Sequence, residues 1–433
     1  MTIYSAGRLQ LFPDHFDING IGISFAVDSR SYRIEATEMS NLLHQRRFKD
    51  WVSYNSQFHV KLYSLAFALL GSVLGFNILA AEPLNLVYYL SILTLVYALG
   101  RKAFNSEVGL IAAGIVSVWP SLLLHTTQML RDPLFIASLL LLTLVLLTGL
   151  TDRFSRAQAL MAAAAGAGSC VLLWRSRGDM WELVFLVVLM GVGMTLAHQF
   201  SQRKFFNWNI LFATLLLFSA FLIPRIVPTY RQSDGSLVKA PSVSENPVKN
   251  ASSGEPLRKQ SPSARWSHFA ARLGLLRHKF IVTYPLAGSN IDLDVELNGT
   301  KDIVMYLPRA MLIGLFAPFP NMWLARGQRV GVVGRLVGGA ETLIMYALSA
   351  LAFVGVIRNR RRLHVWLLLF IVILGCTAMG YVVVNISTLY RMRYGFWILL
   401  IVVAAKTIQS SWQLESRTAR ASEKPSAELQ SCL

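Results

Sequence analysis

Long apolar runs separated by short charged connectors dominate the chain. The runs over residues 84–100, 107–125, 133–150, 157–174, 181–197, 208–223, 340–357 and 364–384, and a last one reaching Ala405, approach the ~20 residues a helix needs to cross a bilayer. They predict an all-α polytopic membrane protein. Residues 62–81 are apolar but interrupted by glycines, so they read as either a span or an interfacial segment. Residues 303–323 carry Pro308, Pro318 and Pro320, which favours an interfacial or re-entrant helix over a clean span.

Two regions break the pattern. Residues 1–60 are polar and aromatic, without the cationic start and apolar run of a signal peptide. Residues 224–302 form a hydrophilic insertion. Its first half, rich in Ser, Pro, Lys and Asn, reads as loosely ordered, and its second half holds a basic amphipathic run at 266–280 suited to a membrane surface. Asp292, Asp294 and Glu296 alternate as on an exposed strand and read as solvated. The chain therefore divides into an outer-face segment (1–60), a transmembrane core (61–223), a long periplasmic insertion (224–302), a re-entrant segment with C-terminal spans (303–410) and a cytoplasmic tail (411–433).

Composition changes one inference. A net charge of +18 suggests nucleic acid in a soluble protein, but at 54% hydrophobic and 15% charged residues it reads loop by loop as topology, and no nucleic-acid partner is expected. Arg101-Lys102, Arg153 with Arg156, Arg203-Lys204 and the cluster from Arg358 to Arg362 fall on alternate ends of successive spans, so all four fit the cytoplasmic side. Asp28, Arg131-Asp132, the stretch from Arg175 to Asp179, the insertion, Arg391 and Arg393 then share the outer face. This topology requires a span ahead of Asp28, which the opening residues do not supply. The three cysteines offer neither a disulfide framework nor metal-ligand spacing, and no metal site is expected.

Arg131 and Asp132 sit between two spans, where opposite charges are costly unless they occupy a polar cleft. Asp132 and Pro133 also suit the N-cap and first position of a helix, so a structural reading stands beside the functional one. Guanidinium groups bind phosphate through paired hydrogen bonds and stabilise a leaving phosphate, while a nearby carboxylate accepts the proton of an attacking hydroxyl. Arginines and acids on one face therefore suit an anionic, membrane-borne substrate.

The order of Asp28-x-x-x-Tyr32, an amphipathic stretch, Leu84-Asn85 opening a span that closes on Arg101-Lys102, Trp119-Pro120 and an acid before Pro133 resembles the start of the GT-C glycosyltransferases. These include the lipid A aminoarabinose transferases and protein O-mannosyltransferases. The resemblance covers residues 25–180 and, more loosely, the end of the chain. It implies a GT-C-like bundle with outer-face amphipathic helices, which moves a sugar with inversion from a polyprenyl-phosphate carrier to a glycan or lipid acceptor at the periplasmic face of a bacterial inner membrane. Asp28 maps onto the family's general base, Asp132 onto the acid opening a later span, and Arg175 or Arg177 onto the arginine after a small-residue helix. Tyr390-Arg391-Met-Arg393-Tyr394 maps onto an arginine- and tyrosine-rich element before the last span, and Tyr32 joins these as a substrate contact. No organic cofactor is implied, and a divalent metal stays open. Ser29 stands where the family usually has a second acid, and the insertion points to a different acceptor, such as a surface polysaccharide. A polysaccharide polymerase or ligase is the neighbouring alternative. A lipid-linked sugar transporter or flippase is a different class, but no internal repeat supports it.

Overall fold

The computed structural model describes residues 27–202, 207–228, 262–283, 288–323 and 331–430. Helices α1 (Val27–His44), α2 (Phe48–Ser53) and α3 (Phe58–Leu74) precede α4 (Ile78–Ala103). The pair α5 (Ser106–Ser117) and α6 (Pro120–Thr126) is bent by 69°. Then come α7 (Asp132–Thr151), α8 (Arg156–Arg177), α9 (Trp181–Ser201), α10 (Trp208–Ile226) and α11 (Pro262–Thr283). The chain continues through α12 (Thr300–Phe316), α13 (Gly331–Arg358), α14 (Leu363–Val382), the short α15 (Ile386–Met392) and α16 (Tyr394–Gln430). Among the described residues there is no strand, only an isolated bridge between Asn290 and Asn385. Among the described residues seven stretches are long and apolar enough to cross a membrane, and α5 with α6 together have the length and composition of a bent eighth.

One of the seven, Arg156–Ser201, is 46 residues long, about twice what a crossing needs. Its ends return to one place. Asn209 donates to the carbonyls of Gly149 (2.8 Å) and Asp152 (2.7 Å), just before α8, while Asn207 donates to Gln199 at the end of α9 (3.1 Å). The stretch therefore folds at Gly178–Met180 into two antiparallel helices.

The same end of the bundle collects the described basic connectors; Arg203 and Lys204 lie outside the described residues. Lys102 pairs with Asp152, Phe104 packs on His364 with ring centroids 5.9 Å apart, and Gln409 donates to Glu107. The opposite end holds the start of α7, the turn after α8, and the linker between α14 and α15. There Ile291 and Ile386 exchange backbone hydrogen bonds with Val384 and Ser289, each 3.0 Å.

Two apolar helices do not traverse. The first turn of α3 adjoins Arg131 and Asp132 through His59, and its last turn passes through Gly75, at φ +80°, straight into the start of α4 at the same end. The apolar stretch 62–81 is thus split between two helices, and α4 begins at Ile78, where the Asn77 side chain accepts from the Leu79 amide. In α12 the Ile303 carbonyl accepts from Tyr381, at the end of α14, and Gly314 lies against Cys376 five residues deeper. Beyond it, the carbonyls of Phe316 (2.7 Å) and Pro318 (3.3 Å) accept from Tyr346 near the middle of α13. α12 therefore dips into the bundle and the chain turns back.

Small residues set the closest approaches. Gly314 rests against the Cys376 carbonyl and Gly380 against the Ala310 carbonyl, so Ala310-x-x-x-Gly314 and Cys376-x-x-x-Gly380 join α12 and α14 backbone to backbone. α7 is apolar on every side because it is buried on nearly every side, as is the membrane-length part of α16.

Candidate functional site

Asp132 is the first residue of α7, and Arg131 occupies the N-cap position. The Asp132 carboxylate does not cap the helix; it pairs with Arg177 from the end of α8 and with Arg391 of α15 at 2.9 Å. Asp132 is 3% exposed and Arg177 2%, and the Arg177 guanidinium also lies 5.6 Å from the centre of the Phe135 ring. Arg131 adds a third positive charge acting on the same carboxylate, and Asp179 reaches Arg177 only from an exposed position. Positive charge thus exceeds negative charge in a water-poor setting, which favours an anionic ligand.

Sequence neighbours diverge. Arg175 turns toward the insertion, donating to the Pro228 carbonyl (2.6 Å) and lying 5.7 Å from the Phe58 ring. Arg393 is fully buried away from Asp132; it donates to the Gly314 carbonyl (3.2 Å), in the last turn of α12, and lies over the Tyr390 ring. The negative end of that helix partly compensates its charge. Tyr390 packs edge-on against Tyr394. Tyr32 is buried with its ring edge-on to His59, centroids 4.5 Å apart. Asp28 stands one turn before Tyr32 on α1, and its side chain lies outside the described residues.

Several residues at this end carry no motif. His59 is fully buried beside Arg131, Asp132 and Arg177, and neither ring nitrogen has a hydrogen-bond partner among the described residues. Tyr63 donates to the Asn85 side chain (2.7 Å) and to the Gln128 carbonyl (3.3 Å), tying α3 to α4 and to the turn leading to Arg131. Buried Glu341 of α13 accepts from the Ser121 hydroxyl and amide and from Tyr394. The available signal was the placement of Glu82, Asn85 and Glu341 in otherwise apolar helices.

Burial, reinforced by Arg131, pushes the His59 imidazole down to about 3 from its ordinary 6.5. Between those values the unfolded chain binds one proton more than the folded one, so stability is full above 6.5 and falls as pH drops. The melting temperature is expected to decline from pH 6.5 downward, and less so in His59→Gln. A wild-type melt that stays flat over this range would contradict it.

The insertion's second half is tied down, not solvated. Asp292, in a left-handed turn at φ +50°, accepts from Tyr306 (2.9 Å) and from Arg309 (3.0 and 3.1 Å). Partial burial raises the Asp292 carboxyl, but those hydrogen bonds outweigh it and hold the group below its usual value. Buried Arg277 of α11 donates to the carbonyls of Tyr381 and Asp292, so the amphipathic run rests on the bundle through this residue.

Together these features define a multi-pass α-helical membrane protein with a buried, arginine-rich site at one end. No family model, curated protein or solved structure matches the chain.

Proposed function

We propose that the chain is an inverting glycosyltransferase that takes a sugar from a polyprenyl-phosphate carrier and hands it to a glycan or lipid acceptor at the periplasmic face of a bacterial inner membrane. What carries this reading is the buried excess of arginine over carboxylate around Asp132. The order of motifs shared with the GT-C enzymes supports it, as does the collection of basic connectors at the other end, the pattern of cytoplasmic loops.

In this reading Arg131, Arg177 and Arg391 hold the donor phosphate, and Asp132 fixes the two arginines it pairs with. An acceptor hydroxyl attacks the anomeric carbon; the new carbon–oxygen bond forms as the bond to the phosphate oxygen breaks. The hydroxyl proton passes to Asp28, and the phosphate leaves with its charge on the guanidinium groups. Asp132, saturated by arginines, is a positioning residue here.

Asp28→Asn is expected to lower transfer from radiolabelled undecaprenyl-phosphate sugars in membranes by about 10²–10⁴-fold, the usual contribution of a general base. Arg391→Gln is expected to weaken donor binding without unfolding the protein. Full activity of a folded Asp28→Asn variant would remove the assigned base, and wild-type transfer by Arg391→Gln would remove the phosphate assignment.

A further inference from the structure

Beside the arginine cluster lies a layer of buried polar groups without hydrogen-bond partners among the described residues. His59 and Asn85 are fully buried and Tyr88 is 6% exposed. Among the described residues neither nitrogen of His59, the Asn85 amide nitrogen nor the Tyr88 hydroxyl has a hydrogen-bond partner. Native interiors rarely leave such groups unpaired, and each costs free energy unless a partner is supplied. Here they are neighbours. The Tyr63 ring lies 6.3 Å from His59 and 6.5 Å from Tyr88, and its hydroxyl bonds Asn85. The same hydroxyl reaches the Leu130 carbonyl (3.5 Å), one residue from Arg131.

The inventory of free positions discriminates between ligands. The Asn85 amide offers two N–H donors, Tyr88 offers a donor and an acceptor, and a neutral imidazole offers one of each. A phosphate has no use for the acceptors, and a lipid chain has no use for any of them. A ring bearing several hydroxyls, each both donor and acceptor, matches the whole set. The rings of Tyr32 and Tyr63 pack edge-on against His59, and that of Tyr63 against Tyr88, so aromatic surface of the kind the C–H side of such a ring needs adjoins the same polar groups.

We propose that His59, Asn85 and Tyr88 form the sugar-recognising half of the site, next to the arginines that take the phosphate. This rests on the reading of the cluster as the site of a phosphate-linked sugar. Tyr32 of α1 packs edge-on against His59.

The test uses the full chain in lipid nanodiscs and two kinds of probe: bare undecaprenyl phosphate, and a panel of undecaprenyl-phosphate hexoses and pentoses. Wild type is expected to bind at least one glycosylated carrier about 10-fold or more tightly than the bare carrier, as one or two good hydrogen bonds allow. Tyr88→Phe and His59→Leu are each expected to lower affinity for that glycosylated carrier about 5- to 10-fold while leaving bare-carrier binding within about twofold. The melting temperature of empty Tyr88→Phe should hold or rise, because an unpaired hydroxyl has been removed. Variants that keep the wild-type preference, or that melt lower and weaken both probes equally, overturn the proposal in favour of a packing or water-binding role. If the bare carrier binds wild type and no sugar improves it, the sugar site alone falls. If wild type binds neither probe, the phosphate reading falls with it.

Discussion

Asp132→Ala is expected to destabilise the protein by about 3–5 kcal/mol, the usual cost of removing one partner from a buried ion pair. Two cations depend on this carboxylate, and Arg177, at 2% exposure, has no route to water. Set against a typical total stability of about 5–15 kcal/mol, that loss should appear as low yield of folded protein in mild detergent and a large fall in melting temperature. Asp132→Asn preserves volume but not charge and should suffer nearly as much. Combining Asp132→Asn with Arg177→Gln removes charge from both sides, and most of the stability should return. Transfer activity should not return, because the phosphate has lost a guanidinium. An Asp132→Ala variant melting like wild type would show that the arginines are compensated by something other than Asp132.

The second large effect is expected at Gly380. A Cβ there would overlap the Ala310 carbonyl oxygen, just as one at Gly314 would overlap that of Cys376. Neither obstacle is a flexible side chain that could rotate away. Gly380→Val should therefore cost at least the upper part of the roughly 1–3 kcal/mol typical of overpacking. It should also part α12 from α14, loosening the Arg393 contact with Gly314. Gly168→Ala and Gly193→Ala serve as controls, since both face open space within their helices. They should be neutral or stabilising by up to about 1 kcal/mol, as alanine favours a helix. Equal melting temperatures for Gly380→Val and the controls would refute the backbone-contact account.

The apolar runs made the spanning helices legible, because a lipid environment leaves a helix little choice of composition. The start of α4 was harder to read: residues 78–81 continue the apolar run of α3, and the buried Glu82 and Asn85 with Pro83 interrupt that run inside the first turns of the helix, so the boundary was placed at Leu84 although the helix begins at Ile78. The Arg131-Asp132 turn stood out in the sequence, and so did the pairs Arg175/Arg177 and Arg391/Arg393, but not which member of each pair meets Asp132. Arg175 and Arg177 are two positions apart on one helix, about 200° around its axis, so only one of them faces Asp132. Arg391 and Arg393 part in the same way, one toward Asp132 and the other toward Gly314. Which member turns inward is decided by helix rotation, which packing fixes and spacing does not. The strand-like alternation at Asp292 failed for a local reason: that residue takes a left-handed turn and spends its carboxylate on Tyr306 and Arg309.

The position of α16 bears on how the molecule is made. Its membrane-length segment is 72% buried, with Trp397 and Phe396 filling the centre of the bundle, yet it leaves the ribosome after every other described span. The Gln409–Glu107 hydrogen bond joins residues 302 positions apart. Helices α4 to α14 must therefore wait in the bilayer with an unfilled centre until α16 arrives. Such an intermediate leaves Glu107 and the Leu351 carbonyl without the α16 groups that donate to them and favours assembly as one late, concerted step over stepwise growth from the N-terminus.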